Sequence, residues 1–181
     1  MDAQVAPEFP DSIEWLNLAQ PLRMAQLRGK VCALAFVNAG SAWSMQRLHD
    51  LVTLLGRHRE RLNVVAVHVP RFDHERDPRR ALKRLRGHGF QLPLGHDPNW
   101  TLWQHYGVEA WPTVVLLDGE GRVAGRLVGD GPLRELDAQV GDLVRALVPQ
   151  SLNPQPIELR RGGEPALPLR FPIGLAVAGN Y

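Results

Sequence analysis

Four apolar runs set the rhythm of the chain. "VCALAFV" (31–37) and "LNVVAVHV" (62–69) are almost continuous, and "TVVLLD" (113–118) repeats the pattern further on. Runs of this length without polar alternation predict strands covered on both faces, as in a parallel or mixed sheet with layers above and below. "RVAGRLVG" (122–129) follows across the turn residues "GEG" and reads as the second arm of a hairpin.

Between these runs the spacing becomes helical. Met45, Leu48, Leu51, Val52 and Leu55 share one face of a helix expected from about Ser44 to Glu60, with Ser41 or Ser44 placed to cap it. "DPRRALKRLRGHG" (77–89) predicts a second helix, with Pro78 near its start and Gly87 or Gly89 near its end. A short extended piece at 91–95 comes next, then a short helix within "DPNWTLWQHYGV" that stops at Gly107. A last helix is expected over 131–148, opening with Pro132. This order describes an α/β domain: a central mixed β-sheet flanked by helices on both faces. Residues 1–30, punctuated by Pro7, Pro10 and Pro21, read as an irregular lead-in to a core over 31–148. Residues 149–181 carry Pro149, Pro154, Pro156, Pro165, Pro168 and Pro172 and read as an extended Pro-rich tail, a linker or a wrap.

Composition narrows the chemistry. The chain has 181 residues, enough for one domain with a real core and an extra segment, and its net charge is only +2. That charge points to no nucleic acid and no anionic membrane unless it clusters. It clusters once, at 78–88, where Ala81, Leu82 and Leu85 mark a buried helix face and Arg79, Arg80, Lys83, Arg84 and Arg86 the other. We read the cations as a solvated face, with Glu75 and Asp77 diluting them just upstream; a phosphate-contacting adaptor is the rival reading. The lone cysteine, Cys32, excludes an internal disulfide and a cysteine-based zinc site, and its place in an apolar strand marks it as core. His68 and His74, with Asp73 and Glu75, come nearest to a ligand cluster, yet lack metal-site spacing; no metal and no cofactor is expected. "GSAWS" is not the nucleophile elbow of a serine hydrolase. The first residues show no basic-then-apolar leader and no run nears the roughly 18 apolar residues of a membrane span, so a cytoplasmic location is expected.

Several stretches together resemble the thioredoxin superfamily: "EWLN" (14–17), "LRGKV" (27–31), "HVPRFDHERD" (68–77), "LWQHYGVEAWPTVVLLDGEGRV" (102–123) and "GDG" (129–131). They are most similar to the thioredoxin-like domain at the start of NHL-repeat proteins. The tail stretch "LRFPIGLAVAGNY" (169–181) is similar to the opening strand of an NHL β-propeller blade, which would make this chain the N-terminal part of a longer protein. The resemblance implies a thioredoxin-like fold, and it locates a redox centre. Members of the superfamily open the helix after the first core strand with Cys-x-x-Cys, whose first thiol is activated by the helix terminus and whose second resolves the mixed disulfide. Here those places fall on Ser41 and Ser44, with Ala42 and Trp43 between.

That exchange removes the chemistry. A thiol starts near pKa 8.5 and the best sites lower it by about five units. An alcohol starts near water's roughly 15.7, so the same help leaves it protonated. The buried acid that assists proton transfer in thioredoxins is replaced by Ala35, and the tryptophan that commonly precedes the motif is missing, with Val37 in that region. Pro112 matches the fold's cis-proline, and with Trp43, Trp111 and Thr113 it would line a groove for an extended peptide. The reading is therefore a redox-inactive binding or scaffolding module with no catalytic residue, whose partner is a peptide or an adjoining domain such as the propeller. Natural loss of the cysteines fits the Ala35 change better than engineering does. The alternative is a thiol–disulfide oxidoreductase whose cysteines at 41 and 44 were replaced by serine.

Overall fold

The computed structural model describes residues 4–148 and 157–160. Six strands form one sheet: β1 (Glu14–Trp15), β2 (Val31–Val37), β3 (Leu62–His68), β4 (Leu94–His96), β5 (Thr113–Leu117) and β6 (Val123–Val128), in the order β1-β4-β3-β2-β5-β6. β2 pairs parallel with β3, and β3 with β4, while β5 runs antiparallel to both β2 and β6. The expected mixed α/β sheet is confirmed. Its helices are α1 (Ala42–Arg57), α2 (Pro78–Gly87), α3 (Thr101–His105) and α4 (Leu133–Ala146).

Strand alternation sorts the core into two layers. Val31, Ala33, Ala35 and Val37 of β2 face one way, against Leu48, Leu51 and Leu54 of α1, Leu85 of α2 and Leu136, Val140 and Val144 of α4. Cys32, Leu34 and Phe36 face the other way. There the cover is unequal to a helical layer: α3 supplies Leu102 and Trp103, the turn after it Tyr106 and Val108, and the largest share comes from Phe9, Ile13, Leu18, Leu22, Met24 and Leu27 of the irregular lead-in. Tyr106 fastens that lead-in by donating its hydroxyl hydrogen to the Pro7 carbonyl (3.0 Å). Helices on both faces is thus correct, but the second face depends mostly on chain without regular structure.

The tail is fixed where it is described. Leu159 bridges to Leu18, the Arg160 N–H donates to the Asn17 carbonyl (2.8 Å), and Ile157 and Leu159 pack on the second core layer. The stretch 169–181 that is similar to a propeller strand lies outside the described residues. Among the described residues, no helix is long and apolar enough to cross a membrane.

Candidate functional site

β2 ends at Val37, opposite His68 of β3, and Phe36 lies opposite Thr113 at the start of β5. This register brings three connections to one end of the sheet: 38–41 before α1, 69–77 after β3, and the turn ending at Pro112. The positions expected to matter gather here.

Ser41 is the N-cap of α1, with extended backbone, and its Oγ accepts the Ser44 N–H (3.3 Å). Ser44 is fully buried and its Oγ accepts the Asn38 N–H (3.1 Å). Both side chains therefore satisfy backbone donors that a helix start leaves open. Ala35 is also fully buried, set between Ala66 and Val114. The only cysteine, Cys32, is buried on the opposite layer, where desolvation pushes its thiol up to about 12. No thiolate is available to this end.

The Trp111–Pro112 peptide bond is cis. The Pro112 carbonyl accepts the Gly129 N–H (2.7 Å), and Thr113, buried, donates its hydroxyl to the Ala110 carbonyl (2.8 Å). Among the described residues, the backbone N–H and carbonyl of Trp111 make no hydrogen bond. The two tryptophans expected to flank the groove do different things. Trp111 packs on Trp103 (centroids 4.5 Å apart) and edge-on to Trp100 (5.2 Å). Trp43 stands on the first turn of α1 with 62% of its surface exposed. Two further apolar side chains are bared at the same end: Phe72 and Val128, 52% and 60% exposed. Thr113 lends its side chain to the turn and leaves the rim to these residues.

Three polar groups unremarked in the helix and strand patterns hold this end in shape. Arg47 of α1 is buried, and its Nη2 donates to the carbonyls of Gly129 (3.0 Å) and Gly131 (2.7 Å), tying α1 to the loop that holds Pro112. Glu75 Oε2 accepts from Asn38 Nδ2 (2.7 Å), the Arg71 N–H (2.7 Å) and the Phe72 N–H (3.2 Å). Burial alone would raise the Glu75 carboxyl, but those hydrogen bonds, with His68 nearby, hold it below its ordinary range. Finally, His68 meets His96 across the β3–β4 pairing with Nδ1 atoms 3.0 Å apart, and His96 Nε2 lies 2.9 Å from the Arg76 carbonyl. Since a carbonyl only accepts, His96 carries its proton on Nε2, and His68 donates from Nδ1. Burial, reinforced by His96 and opposed by Glu75, drives His68 down to about 4.

The loose His68, His74, Asp73 and Glu75 grouping is thereby resolved. His68 turns to His96, His74 stacks on Phe72, and Asp73 pairs with Arg76 at the surface. Among the described residues no group of His, Cys, Asp or Glu is arranged to hold a metal. Arg79, Arg80, Lys83 and Arg84 are exposed on a helix seated on Ala81 and Leu85, while Arg86 is half-buried against Leu82 and Phe90.

Comparison with known proteins agrees with this geometry. A family model described as thioredoxin-like matches residues 29–123. The chain is 29% identical to the protein SUPPRESSOR OF QUENCHING 1, chloroplastic, of Arabidopsis thaliana, over 97% of this chain and 17% of that protein. It is 30% identical to NHL repeat-containing protein 2 of Homo sapiens, over 69% and 18% respectively. The chain thus spans about a fifth of the length of these relatives. It is also 23% identical to the thiol-disulfide oxidoreductase YkuV of Bacillus subtilis, over 76% of this chain and 92% of that one. Among solved structures, a thioredoxin-like protein in the oxidized form superposes with a TM-score of 0.72 at 22% identity, covering 82% of this chain and all of its own. With its sheet order, its Trp111–Pro112 turn and this match over more than half its length, the chain belongs to the thioredoxin-like family.

Proposed function

We propose that this chain is a thioredoxin-like binding or scaffolding module that performs no thiol–disulfide exchange. One observation carries the first half: the Ser41 and Ser44 hydroxyls are both spent on backbone donors, while the sole thiol is buried on the other side of the sheet. Among the described residues the backbone of Trp111 is unpaired, which supports the second half, since an extended segment pairing there would satisfy both groups. Exposed Trp43, Phe72 and Val128 offer such a segment an apolar rim. The partner is a peptide or the region that adjoins this domain in a longer chain. The match to NHL repeat-containing protein 2 favours the second. A reducing, cytoplasmic setting suits a chain whose only cysteine is free and inaccessible.

Dithiothreitol-driven reduction of insulin tests the redox half. The unmodified protein should be silent, and Ser41→Cys/Ser44→Cys should gain activity; turnover by the unmodified chain would refute the reading. For the binding half, the adjoining region added in trans should bind, and Trp43→Asp should weaken it with the circular dichroism unchanged. The likeness to YkuV favours one other reading, an oxidoreductase whose two cysteines were exchanged. Codons 41 and 44 of the gene decide it.

A further inference from the structure

Glu75 stands where a side chain would otherwise be. A Cβ built on Gly40 would lie 2.8 Å from Glu75 Oε1 and 2.9 Å from Asn38 Oδ1. The absence of a side chain at residue 40 is what lets the carboxylate press against the chain entering α1. Across one Cα–Cα step of about 3.8 Å, this puts Oε1 within about 8 Å of the Ser41 Cα. It is fixed there by Asn38 Nδ2 and the N–H groups of Arg71 and Phe72.

The start of a helix ordinarily favours anions, with a partial charge of about +0.5. A whole negative charge opposes that here. The cations nearby do not restore the balance. Arg47 is buried and turned to the Gly129 and Gly131 carbonyls, and Arg76 is engaged by Asp73 and the Pro98 carbonyl. Arg71 lies over the Phe72 ring (5.3 Å), and the loops of the same end also carry exposed Asp73, Glu109 and Asp130, which offset its charge.

We propose that Glu75 is the specificity-determining residue of the Ser41–Ser44 turn: it makes this turn receive uncharged or cationic groups of a partner and repel anionic ones, a thiolate included. The proposal rests on the reading that this end of the sheet binds, and it names the chemistry of what is bound: an extended segment with apolar side chains and, next to position 41, a lysine, an arginine or no charge.

A thiol at position 41 reports the local field. In Ser41→Cys, Cys32 stays buried, so modification is confined to one site. The thiolate attacks the sulfenyl sulfur of a methanethiosulfonate, forming a mixed disulfide and releasing methanesulfinate. We would compare rates for the cationic trimethylammonioethyl reagent and the anionic sulfonatoethyl reagent, each normalised to its rate with 2-mercaptoethanol. The cationic reagent should be favoured, and adding Glu75→Gln should cut the ratio about five-fold, the effect of unit charges near 8 Å in water-like surroundings. Asp73→Asn, on the same loop but fully exposed, should leave it within about two-fold. If Glu75→Gln fails to fold, salt decides: at about 1 M the ratio in Ser41→Cys alone should collapse toward one. An anionic preference, a ratio untouched by Glu75→Gln in folded protein, or one indifferent to salt overturns the proposal. Loss of insulin silence or of partner binding would instead sink the functional reading and leave this ratio unchanged.

Discussion

The His68–His96 pair makes stability depend on pH in a window that few other groups share. Both rings are buried, at 1% and 0% exposure, and their Nδ1 atoms share one hydrogen bond, so a proton gained by His68 is a charge placed in the interior beside a second imidazole. His68 titrates near 6.5 when unfolded and at about 4 in the fold, through burial first, then His96, with Glu75 pulling weakly the other way. Between those values the unfolded chain binds one more proton, so stability falls as pH falls through this range. The full gap corresponds to about 3 kcal/mol at roughly 1.4 kcal/mol per pH unit. Of this, about 2 kcal/mol should be lost between pH 7 and pH 5. Glu75, held below its ordinary 4.5, acts in the same direction but only at lower pH, below the range read here.

Urea unfolding followed by tryptophan emission suits the assay, because Trp100, Trp103 and Trp111 pack together in the fold. The decisive variant is His68→Asn, whose side-chain amide can still donate toward His96 and cannot take up a proton. It should be less stable at pH 7, having lost the ring, yet its stability should change much less between pH 7 and pH 5. A wild-type curve flat over that range, or a variant that keeps the wild-type slope, would refute the reasoning.

Arg47→Ala strands the Gly129 and Gly131 carbonyls and empties a buried site, so thermal unfolding should register a loss of about 3 kcal/mol. Gly40→Ala places a methyl group 2.8 Å from Glu75 Oε1 and should cost about 1–2 kcal/mol. Combined with Glu75→Gln in a double-mutant cycle, that cost should be less than additive, because both changes disturb one contact. Asp97 accepts the Thr101 N–H (2.8 Å) and the Trp103 N–H (2.9 Å) while almost fully buried, so Asp97→Ala should lower stability by about 1–2 kcal/mol.

The strands β2, β3 and β5 are legible in the sequence because burial on both faces leaves no room for polar alternation. Helix α1 is legible because one apolar face meets a capping serine at its expected offset. The lead-in is not. Phe9, Ile13, Leu18, Leu22 and Leu27 all reach the core, but their spacing follows neither period, so nothing local tells a buried irregular segment from an exposed one. β1 is two residues long, and β4 carries Gly95 and His96, whose burial depends on a partner 28 residues away. The same logic divides the site. The cap at Ser41 is a contact between residues three apart, and the composition of "GSAWS" suffices to suggest it. Glu75 and Asn38 stand 37 residues apart on separate connections, and Arg47 reaches across 82. Only the fold brings such groups together.

What holds this end in shape owes nothing to sulfur. An N-cap needs an oxygen that accepts an N–H, which serine supplies as a matter of preference. Arg47, Thr113 and Gly129 tie α1 to the Pro112 turn through carbonyls, and Glu75 ties the connection after β3 to Asn38. Ala35 takes the place of an acid that the family resemblance would put in the core, and an unpaired acid there carries a desolvation cost that alanine avoids. The shape of this end of the sheet and the chemistry of exchange are therefore separable here. Restoring thiols at 41 and 44 alone should return a site of the right form that still lacks its proton-transfer acid and faces the Glu75 carboxylate. Activity in that variant should rise further with Glu75→Gln, since relieving the charge favours the thiolate; a fall on that change would mean that Glu75 supports the local geometry more than it opposes the anion.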